Sequence, residues 1–139
     1  MIEYDPKNIF ALILKGEIPT TKIFENDDCL AIMDAFPQSK GHALVIPKAP
    51  SCDLLDADPE QLAKIIPHVQ TLAIAVKKAM NADGIRLMQF NGADAGQTVF
   101  HLHFHIIPAY KGEKMGRHGS DMVEASILKE QADLIRQAL

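Results

Sequence analysis

The sequence has no tryptophan, and aromatic residues make up only 6% of the chain. Its two cysteines, Cys29 and Cys52, form no CxxC pair and provide no disulfide framework. This cysteine usage excludes a disulfide-stapled secreted module and a paired-cysteine zinc module. It is typical of proteins kept in a reducing compartment, so we expect a cytoplasmic protein.

Long apolar runs and a basic surplus are also missing. The longest apolar run, IFALIL at residues 9–14, is far too short to span a bilayer, and the first residues, MIEYDPKN, do not resemble a signal peptide. Fourteen Lys and Arg against eighteen Asp and Glu give a net charge of −4. Because binders of nucleic-acid backbones usually carry a basic surplus, we expect neither a nucleic-acid partner nor a membrane partner.

The 139 residues, 47% hydrophobic and 23% charged, match one ordinary globular domain. No repeat or linker divides the chain, so we expect a single domain over residues 1–139. Turn and cap residues predict a short helix that starts at an Asp5 cap and ends at Gly16, a long helix from Asp58 to about residue 81 that Pro67 should kink or restart, and a final helix over residues 121–139. The predicted strands are residues 22–26, 29–33, 42–47, 85–90 and 98–108.

The first two strands are joined by a turn of hairpin length, and there are more strands than a repeating βαβ pattern would give. This arrangement predicts an α+β fold with a five-stranded, mainly antiparallel sheet. In the final helix, five apolar residues are available for burial, namely Met122, Ile127, Leu128, Leu134 and Ile135.

The most informative segment of the sequence is a row of histidines in the predicted fifth strand. His101, His103 and His105 are three of the six histidines in the chain. Side chains alternate between the faces of a strand, so these three are expected on one face, ~7 Å apart in succession. The intervening apolar residues would then face the core. Core packing gives no reason for such a row, which points to chemistry.

Two kinds of chemistry fit three aligned imidazoles. Histidines two residues apart on a strand can share a Zn²⁺ ion, with a further ligand from His42, Asp34 or Asp94. Alternatively, a neutral imidazole can attack phosphorus and form a phosphoramidate that water later hydrolyses. The preceding loop, NGADAGQ at residues 91–97, favours the second reading because Gly-rich turns bring backbone N–H groups close to an anion.

The segment AGQTVFHLHFHIIP resembles the signature of the histidine triad (HIT) superfamily, in which histidines alternate with apolar residues. The similarity extends through NIFALILKGEIP and CLAIMDAFPQSKGHALVIPK and covers residues 8–108. It is greatest to the branch of histidine triad nucleotide-binding proteins and bacterial HIT hydrolases. The resemblance implies a HIT-like fold with a long central helix, a C-terminal helix and a homodimeric assembly.

The resemblance also implies roles for individual residues. His103 matches the nucleophile that attacks the α-phosphorus of a nucleotide, while His101, His105 and His42 match the histidines that orient it and contact the phosphate or the leaving group. Asp34 matches the carboxylate that binds the ribose. The other implied substrate contacts are Gln97 and Thr98 at the phosphate and Phe10, Ile13 and Ile32 at the base.

Two departures from the family pattern concern the substrate. Many nucleotide-binding members carry asparagine where this chain has Phe90, so Asn91 is expected to supply that contact on the phosphate side. The tail, residues 109–139, does not follow the sequence of the closest eukaryotic branch. It contains His118 and the predicted final helix. His118 and the helical His68 are expected at the surface.

The function implied by the resemblance is hydrolysis or transfer of purine nucleoside phosphoramidates or dinucleoside polyphosphates through a nucleotidyl-histidine intermediate. The histidine chemistry itself requires no metal, although Mg²⁺ is compatible with a polyphosphate substrate. Two alternatives stay open: a nucleotide sensor or partner-binding module with little catalysis, and a zinc-dependent hydrolase that uses the histidine row as ligands.

Overall fold

The computed structural model describes residues 2–117 and 121–139 of the chain. It contains five strands that form one sheet in the order β1-β2-β3-β5-β4, and all neighbouring strands are antiparallel. The strands are β1 Lys22–Glu25, β2 Cys29–Met33, β3 Ala43–Pro47, β4 Gly84–Met88 and β5 Phe104–Ala109. The helices are α1 Ile9–Leu14, α2 Pro59–Ala79 and α3 Ala125–Ala138. The predicted α+β fold with a five-stranded sheet, a long central helix and a C-terminal helix is confirmed.

The sheet is covered differently on its two faces. The long helices α2 and α3 pack on one face, where Ala31 and Met33 of β2 join the larger hydrophobic cluster. On the opposite face, Leu30 and Ile32 of the same strand join a smaller cluster that includes Phe10 of α1. The period-two alternation along β2 therefore supplies both layers, and all five of its residues are buried.

Helix caps follow the predicted chemistry with one correction. Asn8, not Asp5, caps α1, because its side-chain oxygen accepts a hydrogen bond from the Ala11 N–H at 2.9 Å. Asp5 instead closes the preceding turn through the Lys7 N–H. Asp58 caps α2 as predicted by accepting from the Glu60 N–H, and the helix continues past Pro67 as one element.

The fifth strand is shorter than predicted. Residues 98–103 lie outside it, and β5 begins only at Phe104. The Leu102 N–H donates to the Ser51 carbonyl at 2.9 Å, so this part of the chain bonds to a loop and not to a neighbouring strand. An extended segment with alternating residue types matches the sequence pattern of a strand even where no neighbouring strand pairs with it. The predicted strand is therefore longer than the observed one.

The final helix also starts later than predicted, at Ala125 and not at residue 121. Before it, the Val123 N–H donates to the Ala35 carbonyl at 3.0 Å, which holds residues 121–124 in an extended connection. Of the apolar residues expected to be available, Leu128 and Ile135 are buried. The expectation is wrong for the three that are exposed, namely Met122, Ile127 and Leu134.

The remaining expectations concern two histidines outside the triad, the two cysteines and membrane-spanning helices. His68 has a 30% exposed side chain, and its Nε2 lies 3.1 Å from Asp28 Oδ2. His118 lies outside the described residues. Both cysteines are buried and free. Over the ranges 2–117 and 121–139, no helix combines the length and apolar character needed to cross a membrane.

Candidate active site

A cavity of about 530 Å³ opens on the face of the sheet that carries α1. Its wall is mostly apolar, and His103 and His105 provide polar groups at one side. Among the residues predicted to contact substrate, five line this cavity: Phe10, Ile13, Ile32, Asp34 and Thr98. A concave apolar site with a few converging polar groups is the usual form of a small-molecule site.

The three histidines do not form the predicted row on one strand. Only His105 lies in β5, while His101 and His103 precede it. The rings of His103 and His105 approach edge to face with centroids 4.9 Å apart, and both line the cavity. His101 is buried behind them, with 1% of its surface exposed, and is not part of the cavity wall. Leu102, Phe104 and Ile106 pack into the opposite hydrophobic cluster, as the alternation predicted.

The position of the His103 proton follows from its hydrogen bond. Its Nδ1 lies 2.6 Å from the backbone carbonyl oxygen of His101, and a carbonyl can only accept. Nδ1 therefore carries the proton, and in the neutral ring Nε2 carries the lone pair. The ring of Phe10 packs edge to face on the imidazole at a centroid distance of 4.7 Å, which restricts its orientation. The lone pair of the neutral His103 ring is therefore on Nε2 of a ring that lines the cavity.

A second chain of bonds sets the protons of His42 and His105. The backbone N–H of Gln38 donates to His42 Nδ1 at 3.0 Å, so the His42 proton is on Nε2. His42 Nε2 lies 3.0 Å from His105 Nδ1 and 3.4 Å from Asp34 Oδ2. His105 Nδ1 accepts this bond, which leaves the proton of the neutral His105 ring on Nε2. His105 can therefore act as a hydrogen-bond donor in the cavity.

The loop that holds Gln38 is itself tied to the tail of the chain. The Gln38 carbonyl accepts from the Gly116 N–H at 2.7 Å, and the Gln38 side-chain amide donates to the Gly116 carbonyl at 3.2 Å. Gln38 therefore bonds to His42 through its backbone N–H and to the polar stretch after β5 through its backbone carbonyl and its side-chain amide.

His101 is held on both ring nitrogens. Its Nε2 donates to the Pro47 carbonyl at 2.7 Å, and its Nδ1 lies 2.7 Å from the hydroxyl of Tyr4. Burial lowers the pKa of His101 below its ordinary value, against the opposing effect of the Pro47 hydrogen bond. The sequence does not predict this contact, because a lone tyrosine near the start of a chain carries no pattern that links it to a histidine 97 positions away.

Two predicted phosphate contacts are directed elsewhere. Gln97 is buried, with its side-chain oxygen accepting from the Gly92 N–H and its amide donating to the Cys52 and Val99 carbonyls. Asn91 accepts from the Leu54 N–H and exchanges hydrogen bonds with Gln89. Neither side chain lines the cavity. Their roles as substrate contacts stay predictions. In the structure, the hydrogen bonds of both side chains stabilise the Gly-rich loop.

Phe90 lies beside the third histidine of the triad, His105. The ring of Phe90 lies 5.8 Å from that of His105, centroid to centroid. Gly96 is in the left-handed region at a φ of 108°, and a Cβ there would lie 3.7 Å from the Phe90 ring. The Gly-rich loop therefore packs against the Phe90 ring.

The C-terminal tail contributes part of the cavity wall. Residues 122–125 and Leu128 line the cavity together with His103 and His105. The hydrogen bond from Val123 to Ala35 places this segment next to Asp34. No sequence pattern pointed to this wall, because the tail departs from the family pattern and its packing depends on a long-range contact.

A metal would fit a different set of residues from the predicted row. Within the described part of the chain, the three side chains that could share an ion are Asp34, His42 and His105, whose ligand atoms all lie within 4.8 Å of one another. His101, His103 and Asp94 do not belong to this set. A metal there would have to replace the proton on His42 Nε2, because His42 Nδ1 already accepts from Gln38.

The comparison with known families agrees with this geometry. The family model described as HIT domain matches residues 15–112. The chain belongs to the HIT family. One HIT relative is the adenylylsulfatase HINT3 of Arabidopsis thaliana, 39% identical over 116 residues. That match covers 79% of this chain but 59% of the relative, so the chain spans less than two thirds of that protein.

Two solved HIT structures are similar over almost the whole chain. A HIT-like protein from Bartonella henselae, described as involved in cell-cycle regulation and containing an unknown ligand, is 51% identical with a TM-score of 0.93 and covers 99% of this chain and 100% of its own. A zinc-bound histidine triad family protein from Mycobacterium smegmatis is 35% identical with a TM-score of 0.82, covering 95% and 92%. The HIT fold and family membership are therefore established.

Proposed function

We propose that this protein hydrolyses or transfers nucleotides by cleavage at the α-phosphate, with His103 as the nucleophile. The observation that carries the proposal is the 2.6 Å contact from His103 Nδ1 to the His101 carbonyl. It assigns the ring proton to Nδ1 and leaves the lone pair on Nε2, in a ring that lines the cavity. Membership of the HIT family, which contains nucleotide-binding proteins and hydrolases, supports the same reading.

In the proposed reaction, His103 Nε2 forms a bond to the α-phosphorus while the bond from phosphorus to the leaving group breaks. The leaving amine or phosphate takes a proton from water. The hydroxide left by this proton transfer then attacks the phosphorus, breaks the N–P bond, releases the nucleotide and restores the neutral imidazole. His105 lines the same cavity, and its Nε2–H would donate to a phosphate oxygen, where negative charge must be stabilised.

The cavity wall supports a nucleoside as the bound part of the substrate. Phe10, Ile13 and Ile32 give the wall apolar surface that suits a base, and Asp34 adds a carboxylate that suits ribose hydroxyls. We propose purine nucleoside phosphoramidates and dinucleoside polyphosphates as the substrate classes. The adenylylsulfatase relative supports an adenylyl group at the cleaved position. Mg²⁺, where present, would accompany a polyphosphate substrate, and no step above uses it.

The test of the mechanism is replacement of His103 by Ala or Asn, with His68→Ala as the matched control at a surface histidine. The His103 variants should lose at least a thousandfold in turnover while nucleotide binding survives, because the nucleophile is removed and the cavity is kept. Mass spectrometry of wild-type protein should find an acid-labile, base-stable nucleotide adduct on the peptide that contains residues 101–105. Near wild-type turnover in His103→Ala would disprove the proposal.

One panel assay separates the alternatives. Purine phosphoramidates and dinucleoside polyphosphates are tested with and without a chelator. A zinc-dependent hydrolase, supported by the Asp34, His42 and His105 set, predicts stoichiometric zinc and loss of activity with the chelator. Turnover below about one per minute on every nucleotide, together with micromolar binding, would instead favour a sensor or partner-binding module.

We infer that the protein works as a homodimer. Strand β4 is at an edge of the sheet, and its Leu87 is 55% exposed. Ile74 of α2 is 62% exposed. An edge strand beside exposed apolar side chains is a surface that natural proteins usually cover. Sedimentation should give twice the 15.3 kDa mass of the chain, and a monomer at micromolar concentration would contradict the inference.

A further inference from the structure

We propose that Tyr4 is a positioning residue for His103 and acts through His101. Three contacts connect them: Tyr4 Oη to His101 Nδ1 at 2.7 Å, His101 Nε2 to the Pro47 carbonyl at 2.7 Å, and the His101 carbonyl to His103 Nδ1 at 2.6 Å. This inference rests on the function proposed above, in which His103 is the nucleophile.

The direction of each hydrogen bond follows from donor and acceptor chemistry. The Pro47 carbonyl can only accept, so His101 carries its proton on Nε2. His101 Nδ1 is then an acceptor, and the Tyr4 hydroxyl is its donor. His101 is 1% exposed, so its Nδ1 is shielded from bulk solvent. Without the hydroxyl, His101 Nδ1 would be a buried acceptor without a hydrogen-bond donor. The His101 ring would then keep only its bond to the Pro47 carbonyl.

The anchors of the His101 ring also determine where its backbone carbonyl lies. Residues 98–103 are outside the ladder of β5, so no neighbouring strand fixes the peptide that bonds to His103. The segment is tied instead by its side chains and by the bond from Leu102 to the Ser51 carbonyl. A shift of the His101 ring is therefore transmitted to the acceptor that holds the proton of His103 on Nδ1.

Tyr4 is held in place and does not reach the substrate. The thiol of Cys52 lies 3.5 Å from the Ile2 carbonyl and so ties the same N-terminal segment to the body of the protein. The ring of Tyr4 packs against that of His101 at a centroid distance of 5.7 Å. Tyr4 is not among the residues that line the cavity, so its effect belongs to the chemical step and not to substrate binding.

The experiment compares Tyr4→Phe with Tyr110→Phe. These are the only two tyrosines in the chain, and the hydroxyl of Tyr110 donates to the Lys40 carbonyl at 2.6 Å without contacting a triad histidine. Each variant removes one hydroxyl and one hydrogen bond. In Tyr4→Phe, kcat should fall at least tenfold with KM within twofold of wild type. Tyr110→Phe should retain wild-type kcat and KM.

A second readout needs no substrate. Nitrogen-15 NMR of the imidazoles should show His101 protonated at Nε2 and His103 protonated at Nδ1 in the wild type. In Tyr4→Phe, the His101 Nδ1 resonance should move as its donor is lost, and the Nδ1–H signal of His103 should weaken. This measurement reads the folded molecules in the sample, so it remains valid if the variant is less stable.

The two readouts separate failure of this inference from failure of the proposed function. Wild-type kcat in Tyr4→Phe, unchanged His103 signals, or an equal loss in Tyr110→Phe would each overturn the role of Tyr4. Retained activity in His103→Ala would overturn the nucleophile, and the NMR comparison would still report whether Tyr4 controls the His103 proton.

Discussion

At the scale of single residues, Gln97 shows how one side chain fits two interpretations. It follows the Gly-rich loop at the position expected to contact phosphate. In the structure its amide bridges Gly92, Cys52 and Val99, and 4% of the residue is exposed. An amide both donates and accepts, so the sequence alone could not determine whether it would serve the ligand or the loop.

Replacing Gln97 by Glu tests its role as a brace. A carboxylate cannot donate to the Cys52 and Val99 carbonyls. The free energy of unfolding, measured by urea unfolding, should therefore fall by about 1–3 kcal/mol. Gln70→Glu, on the exposed side of α2, is the control and should change stability by less than about 0.5 kcal/mol. Unchanged stability with a much larger KM would identify Gln97 as a ligand contact instead.

Residue identities predicted the histidine site better than they predicted its geometry. His103, His105 and Asp34 line the cavity, as the family resemblance implied. The distribution of protons among the rings was not predictable, because it depends on the Pro47 carbonyl and the Gln38 N–H. Backbone donors and acceptors are present at every residue, so their identity at a site appears only in the fold.

At the scale of elements, local signals predicted where helices and strands exist, and long-range contacts decided where they end. The Asp58 cap and the bounds of β2 depend on local signals, and both were predicted correctly. The start of β5 depends on whether β3 and β4 lie beside it, and the ladder contacts begin only at Phe104. The same reasoning explains the late start of α3, which depends on the bond from Val123 to Ala35.

Two leucines of α3 provide a matched test of which side of that helix is functional. Leu128 is 5% exposed and lines the cavity, whereas Leu134 is 48% exposed. Leu128→Ala should lower the free energy of unfolding by about 2–5 kcal/mol and raise KM, because it removes buried packing and part of the cavity wall. Leu134→Ala should cost less than about 0.5 kcal/mol. Equal effects of the two substitutions on urea unfolding and KM would contradict this assignment.

At the scale of the whole molecule, the buried neutral His101 couples stability to pH. Its pKa is lowered by burial from an ordinary value of 6.5, so the unfolded chain takes up a proton more readily than the folded one. The His101 contribution to the free energy of unfolding should therefore be constant above that value. It should decline as the pH falls through 6.5 towards the lower folded pKa.

Urea unfolding at several pH values between about 7.5 and 5 measures this dependence, and His101→Gln, which cannot titrate, should reduce it. An NMR titration of the His101 ring gives an independent check. Titration of that ring at its ordinary pKa in the folded protein would contradict the prediction.

The bonds between Gln38 and Gly116 have a consequence for protein engineering. A chimera that transplants only the histidine segment into another HIT protein would leave behind the tail residue that steadies the Gln38 loop and, with it, the orientation of His42. Exchanging the tail alone would remove these bonds from the loop whose Gln38 N–H donates to His42, although the histidines themselves are untouched. The histidine segment and the tail should therefore be treated as one transferable unit.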